Sequence, residues 1–482
     1  MDWGGFRLIG SLPGAVRYGC MSIKFLSHYI ALPVLLLALL EGLVASVALV
    51  LATGQWWALP GTAPGSAWGL HLVFAATLGL AIAAMGLYNA RVRIRLSGVA
   101  LRLLVAAVGT AVWMMLLRLA FPVGSYTGRE YAIALCIVIP VDLALRYVMA
   151  LFAGDGLLRV RVLVYGAGWQ ARLIAGLRRR SDRIGFQIVG FVRTESDQPG
   201  VAGIEVVDVG DDLLDWCLRH RIDEIVVAMD DRRRAFPVRD LLTCRINGID
   251  VVELITFLER ETGKVRLDVL NPSWMIFSDG FRRTGLRSAV SRTLDVLCSL
   301  ALLAVTWPIM AVVILAIKIE DGLHAPVFYR QVRTGQDGRP FDLLKFRSMR
   351  MDAEADGVAR WAGHGDPRVT RVGALIRKAR IDELPQLLNV LRGDMRFVGP
   401  RPERPEFVAE LSGAIPYYDE RHCVKPGITG WAQLCYPYGS SRQDATEKLQ
   451  YDLFYIKNRT LLFDLAILIQ TVEVVLFHKG AR

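Results

Sequence analysis

The 482-residue sequence has seven cysteines and seven histidines, with no CxxC pair and no spaced His/Cys set. That excludes a zinc ribbon or finger, and scattered thiols fit a reduced state in or facing the cytoplasm better than a disulfide framework. A cleavable signal is also missing. The first apolar run is too long for a signal core, starts about thirty residues in and lacks a small-residue cleavage site. Positive charge is scarce in two places: stretches 53–67 and 121–130 hold a single base, Arg129.

What is abundant is apolar residues: 53% of the chain, with a mean hydropathy of +0.36, too apolar for an ordinary soluble protein. Four runs, about 30–52, 68–88, 99–120 and 131–153, are each long enough to span a hydrocarbon core. Arg7, Arg17 and Lys24 precede the first, Arg91, Arg93 and Arg95 follow the second, and Arg159 and Arg161 follow the fourth. The positive-inside rule therefore puts both termini in the cytoplasm. Bases lie beside apolar runs, so the net charge of +11 reads as attraction to anionic lipid and phosphate substrates and not to nucleic acid. Asp142 and Arg146, four residues apart in the fourth span, are placed to pair inside the bundle, although Arg146 is also placed to snorkel toward the headgroups.

Residues 155–265 alternate strand and helix patterns: RVLVYGAG, QARLIAGLRRR, FQIVGFV, an apolar stretch near 203–207, a helix at 211–220, DEIVVAM, a helix at 236–246 and IDVVEL. This predicts a parallel, doubly wound, Rossmann-like sheet. Gly166 and Gly168, with Ala171, fit the turn where backbone approaches a pyrophosphate. The acid expected after the second strand is replaced by Arg193, with Glu195 and Asp197 arriving late. Two readings stay open: glycines that only permit a tight turn, and a regulatory nucleotide site.

Val296–Ile319 is apolar throughout, yet Arg282, Arg283, Arg287 and Arg292 precede it and Lys318, Arg330 and Arg333 follow, so neither side is favoured as inside. Pro308 near its centre removes a helix hydrogen bond, and Thr306 is placed to satisfy a freed carbonyl. A helix bent at a break at Pro308 that enters and leaves by the cytoplasmic face fits both facts, and a straight fifth span is the alternative.

In RKARIDELPQLLNVLRGDMRFVGPRP, residues 377–402, Asp382 and Glu383 stand between clustered arginines, Arg380 among them, and the turn Pro400-Arg401-Pro402. Adjacent carboxylates can divide a metal-assisted displacement at phosphorus: one attacks, the other holds a divalent cation. Pro385 suits a helix first turn, so the pair is expected near a helix N-terminus. A lone Asp-Glu pair would more often be a helix cap.

From about residue 288 onward, the basic start and apolar run at 291–319, PVFYRQVRTGQDGRPF at 326–341, KFRSM at 345–349, DELPQLLNVLRGDM at 382–395, VGPRP at 398–402 and KPGITGWAQ at 425–433 together resemble the bacterial sugar transferases. These are the polyprenyl-phosphate hexose-1-phosphate transferases, or monotopic phosphoglycosyl transferases. The tail, IPYYDERH and EKLQYDLFYIKN with a closing GAR, is similar to the subgroup accompanying exosortase-type exopolysaccharide systems.

The resemblance implies a membrane protein of the bacterial inner membrane: a four-helix transmembrane bundle (1–154), a Rossmann-like cytoplasmic domain (155–270), a linker (271–287) and a mainly α catalytic domain (288–482) with a re-entrant helix at 292–319. It implies transfer of hexose 1-phosphate from a UDP-sugar to polyprenyl phosphate as the first membrane step of exopolysaccharide assembly. Asp382 would be the nucleophile and Glu383 the Mg²⁺ holder, with Arg333, Lys345, Arg347 and Arg380 on substrate phosphates and Arg401 on the nucleotide. Expected partners are the UDP-sugar, the lipid phosphate and the bilayer, with a second copy of the chain a further candidate and no nucleic acid. Two rivals are weaker. A membrane-bound nucleotide-sugar dehydratase or epimerase would need a second glycine-rich turn and a Tyr-xxx-Lys pair after residue 288, and a non-catalytic scaffold or regulator would not need the acidic pair with its basic motifs.

Overall fold

The computed structural model describes residues 22–25, 28–54, 66–88, 96–120, 127–154, 160–177, 186–195, 197, 205–210, 212–231, 236–270, 275–276, 281, 285–350, 368–436, 439 and 441–477. A short antiparallel hairpin, β1 (Ser22–Phe25) and β2 (His28–Ala31), leads into four apolar helices: α1 (Leu32–Thr53), α2 (Ser66–Ala84), α3 (Leu96–Ala120) and α4 (Gly128–Gly154). The hairpin was not anticipated from sequence.

Small and large apolar residues interdigitate at the bundle centre, among them Ala45, Leu49, Phe74, Ala106, Met114 and Ala134, while Leu43, Leu72, Met115 and Leu119 face outward. Apolar side chains on the outside are what a hydrocarbon solvent requires. α2 stops short of the expected 68–88 because Gly86 takes φ +69 and closes a Schellman motif, Gly86 N–H to Ala83 O and Leu87 N–H to Ile82 O. Inside the bundle Arg146 reaches Asp142 at 3.1 Å, as its spacing predicts, and also Glu41 of α1 at 2.6 Å. Tyr88 donates to the other oxygen of Glu41, so one cation ties three segments.

The middle segment is a five-stranded, all-parallel sheet of β3 (Val160–Tyr165), β4 (Phe186–Val192), β5 (Val206–Val207), β6 (Glu224–Val227) and β7 (Asp250–Glu253), in the order β5-β4-β3-β6-β7. Val162 and Val164 pack on one side and Leu163 on the other, each fully buried, because helices cover both faces. Those helices are α5 (Trp169–Ala175), α6 (Leu213–Arg219), α7 (Val238–Ile246) and α8 (Leu254–Thr262). The sheet segment joins the C-terminal part of the chain through Trp431 Nε1, which donates to Gly263 O at 2.8 Å, and through Lys457 on Glu259 at 2.6 Å.

α9 (Gly285–Asp321) is 37 residues long and continuous through Pro308, about 55 Å at 1.5 Å per residue. It is longer than the 292–319 expected, and Pro308 does not divide it. Thr306 Oγ1 donates to Leu302 O at 2.7 Å, one turn below itself, and not to Ala304 O, the carbonyl that lacks its donor at Pro308. Val305, Trp307 and Val312 are 73%, 64% and 67% exposed, so one face of α9 lies outside the protein's own packing, while Leu303, Met310 and Val313 on the other face pack against the C-terminal unit.

The remainder is a hairpin of β8 (Phe328–Thr334) and β9 (Pro340–Phe346), helices α10 (Arg371–Lys378), α11 (Gln386–Arg392), α12 (Pro405–Ala414), α13 (Trp431–Cys435), α14 (Arg442–Asn458) and α15 (Leu461–Phe477), and a parallel pair, β10 (Arg396–Val398) and β11 (Gly427–Thr429). Arg396 clasps three elements, bonding Asp295 of α9 at 3.0 Å and Asp464 of α15 at 2.9 Å. Both ends of α9 meet this unit: Arg292 donates to Val390 O and Leu391 O, and Asp321 receives Arg347 at 2.6 Å.

Among the described residues, four helical stretches are long and apolar enough to cross a membrane: Leu35–Thr53, Gly98–Leu119, Gly128–Val148 and Ser288–Asp321. The apolar part of α2, Gly69–Ala84, is shorter.

Candidate active site

The acidic pair sits where α10 hands over to α11. Arg380 takes a left-handed conformation, φ 58, which reverses the chain after α10 and starts the single 3₁₀ turn Ile381–Glu383. That conformation is costly for a non-glycine residue and is held here by its surroundings. Pro385 then leads into α11, as its fixed φ predicts.

Glu383 Oε1 lies 3.2 Å from Lys345 Nζ, 3.2 Å from Arg401 Nη2 and 3.8 Å from Arg380 Nη1. Although burial opposes ionisation, those three cations hold the Glu383 carboxyl far below its ordinary range. Asp382 is 8% exposed and behaves oppositely: burial, then the neighbouring Glu383 charge, raises its carboxyl above the usual carboxylate range, with Lys345, Arg377 and Arg380 pulling it back. Burial lowers the Lys345 ammonium despite Glu383. Two adjacent carboxyls are thus pushed apart in acidity, the pattern expected where they have different tasks.

Arg401 is aimed by what grips its backbone. The buried Arg421 donates to Arg401 O at 3.0 Å, to Asp452 at 2.8 Å and to Tyr418 Oη at 2.8 Å. Arg333 supports the same turn from the other side, donating to Pro402 O at 3.1 Å and lying 3.6 Å from Glu403, so it grips the Pro-Arg-Pro loop. Arg347 points elsewhere: its Nη2 is committed to Asp321, while Nε and Nη1 are buried without a hydrogen-bond partner among the described residues. The structure therefore gathers Lys345, Arg380 and Arg401 on Glu383, with Arg333 and Arg347 serving the loop and the end of α9. Sequence reasoning missed Arg421 and Asp452. Their runs, YYDERH and EKLQYDLFYIKN, showed charge in an apolar setting but nothing to pair them across 31 residues.

For Mg²⁺, no group of three or more His, Cys, Asp or Glu side chains gathers among the described residues. The ion typically takes only one or two carboxylates, with waters and substrate phosphates. An ionised Glu383 beside Asp382 fits that donor set.

The other expected site differs. Gly166 has φ +127, and a Cβ there would lie 2.3 Å from Ala228 O; at Gly168 it would lie 2.0 Å from Asp230 Oδ2. Backbone N–H groups of Trp169 and Gln170 donate to Asp230 at 3.1 and 3.0 Å, and Ala167 N–H donates to Asp197 at 2.8 Å. The donors a pyrophosphate would use are held by the protein's own carboxylates, which favours the tight-turn reading of these glycines.

Residues 286–478 match the family "Bacterial sugar transferase". The chain is 38% identical over 263 residues to the UDP-N-acetylgalactosamine-undecaprenyl-phosphate N-acetylgalactosaminephosphotransferase of Aeromonas hydrophila, covering 54% of this chain and 61% of that protein. It is 31% identical over 333 residues to the UDP-glucose:undecaprenyl-phosphate glucose-1-phosphate transferase of Xanthomonas campestris pv. campestris, covering 67% of each. A putative undecaprenyl-phosphate N-acetylgalactosaminyl 1-phosphate transferase of Bacillus subtilis is 48% identical over 139 residues, 29% of this chain and 76% of that protein. The chain belongs to the bacterial sugar transferase family.

Proposed function

We propose that the protein transfers a hexose 1-phosphate from a UDP-sugar to undecaprenyl or another polyprenyl phosphate, releasing UMP, at the inner membrane as the first lipid-linked step of exopolysaccharide assembly. The relatives' names carry the substrate classes. The observation that carries the chemistry is the buried Asp382 beside a Glu383 that faces Lys345, Arg401 and Arg380. The tail motifs carry the finer assignment to the exosortase-associated subgroup.

In the proposed sequence an Asp382 oxygen attacks the sugar-bearing phosphorus. A new P–O bond forms to Asp382, the bond to the bridging oxygen breaks, and UMP leaves with that oxygen. An oxygen of the lipid phosphate then attacks the same phosphorus and releases the Asp382 carboxylate, so the enzyme is regenerated. Lys345, Arg380 and Arg401 offset charge on the phosphate oxygens. Burial keeps water from competing for the phosphoryl group. Mg²⁺, when bound through Glu383, supplies further neutralisation of those oxygens.

The same reading makes α9 a re-entrant anchor and puts the termini and catalytic unit in the cytoplasm. Arg292 near one end of α9 and Asp321 at the other both bond the catalytic unit, a contact pattern that favours one membrane side for both ends. The parallel sheet, in doubly wound order, is proposed as a Rossmann-like scaffold with its glycine-rich turn closed by Asp230 and Asp197. The test is a panel of UDP-sugars offered with undecaprenyl phosphate to the purified protein. Release of UMP with one or more of them supports the proposal, and none with any sugar contradicts it.

A further inference from the structure

α11 separates two differently equipped places. Asp382 and Glu383 precede its N-terminus; at its other end lies a cavity of about 100 Å³, several times the ~15 Å³ that one water needs, walled by early turns of α9, by β10 and by the loop before β11. No residue of the acidic pair lines it. Four cations do, Arg292, Arg396, Lys425 and Arg459, against one carboxylate, Asp295, which Arg396 already holds.

Arg396 is paired with Asp295 and with Asp464, and the other three cations are incompletely satisfied. Among the described residues, Arg292 donates only to the carbonyls of Val390 and Leu391 at the end of α11. Arg459 Nε is buried with no hydrogen-bond partner, and Lys425 Nζ makes no hydrogen bond or ion pair, among the described residues. Lys425 and Arg292 also crowd together: a Cβ built on Gly393 would meet Lys425 Nζ at 3.6 Å and Arg292 Cζ at 3.7 Å. Burial and the charges of Arg292 and Arg396 push the Lys425 ammonium down, outweighing Asp295 and Asp394. Like charges gathered around a void with so little counter-charge are stabilised by an anion.

The same stretch of α9 that lines the cavity turns Leu294, Leu297 and Leu300 outward. The cavity therefore lies where an apolar helix begins, the level at which a bilayer around α9 would place its lipid headgroups. We propose that it is a second anion site, binding the phosphate group of a membrane lipid or free phosphate, separate from the acidic pair. This does not rest on the transfer reaction.

The full chain carrying Asp382→Asn, to prevent turnover, is placed in phosphatidylcholine nanodiscs, and binding of labelled short-chain phosphatidic acid is measured with inorganic phosphate and undecaprenyl phosphate as competitors. Lys425→Gln with Arg459→Gln should weaken binding by about tenfold or more, the loss expected when charge-assisted hydrogen bonds disappear. Lys425→Arg should restore most of it, and Arg401→Gln should leave it unchanged. Ser288→Glu, at an exposed position on the rim, should weaken binding with every cation intact. Competition by phosphate alone marks a headgroup or free-anion site; competition by lipid phosphates only marks a lipid site. The proposal is overturned if the Lys425/Arg459 double variant and Ser288→Glu bind phosphatidic acid and phosphate like the parent, or if only Arg401→Gln abolishes binding.

Discussion

The guanidinium of Arg421 donates to the backbone carbonyl of Arg401 across 3.0 Å, and Arg401 in turn reaches Glu383 at 3.2 Å. A buried ion pair, Arg421 with Asp452, thereby aims a solvent-facing arginine at the acidic pair. Removing one partner leaves a buried charge uncompensated, so Arg421→Met should destabilise the protein by about 3–5 kcal/mol. The double variant Arg421→Met with Asp452→Leu should regain much of the melting temperature without regaining kcat, because Arg401 still lacks its anchor. Full recovery of turnover together with stability would show that Arg421 has no positioning role.

Acid titration should report Asp382. Burial and then Glu383 raise its carboxyl, and only the ionised form attacks phosphorus, so kcat/KM should fall with decreasing pH along a limb above the ordinary carboxylate range. Glu383 stays ionised through that window because its own carboxyl is lowered. In Glu383→Gln the remaining activity should show the limb at lower pH, since a neighbouring negative charge is gone. A limb that stays in place across both proteins assigns the ionisation to another group.

The glycine-rich turn yields a stability test. Gly168→Ala would drive a Cβ into Asp230, whose carboxylate bonds Trp169 and Gln170 N–H, so its melting temperature should drop. Combining it with Asp230→Ala should recover part of the loss by removing the obstructing side chain. If Gly168→Ala melts like the parent, the turn is looser than its contacts indicate.

Much of this was readable from residues with a local signature. The strands around Leu163 and Ile225 are apolar runs bounded by turns, and Pro385 places the acidic pair before a helix from its fixed φ alone. Relations set by distant packing were not readable. Nothing in KFRSM signals that Arg347 pairs with Asp321, and Asp230 is 62 residues from Gly168 in a chain that offers several other acids. Pro308 marks a lost hydrogen bond in sequence, but the helix runs through it because the bonds on either side persist.

Topology can be tested in cells. Cysteines introduced near residues 60 and 125 should react with a membrane-impermeant thiol reagent, while those near 285 and 335 should be protected, since both ends of α9 are read as cytoplasmic. Labelling near 335 from outside would mean that α9 crosses the bilayer and separates the catalytic unit from cytoplasmic UDP-sugar.

The central claim is that Asp382 carries the sugar phosphate between two displacements. Protein is mixed with Mg²⁺ and a UDP-sugar labelled in its β-phosphate, without lipid, and quenched rapidly. The account predicts label on the protein with UMP released, transfer of that label to added undecaprenyl phosphate, and no label on Asp382→Asn. Absence of protein-bound label at every time, with initial-rate plots that intersect as for a ternary complex, would contradict it and make the lipid phosphate the direct attacker.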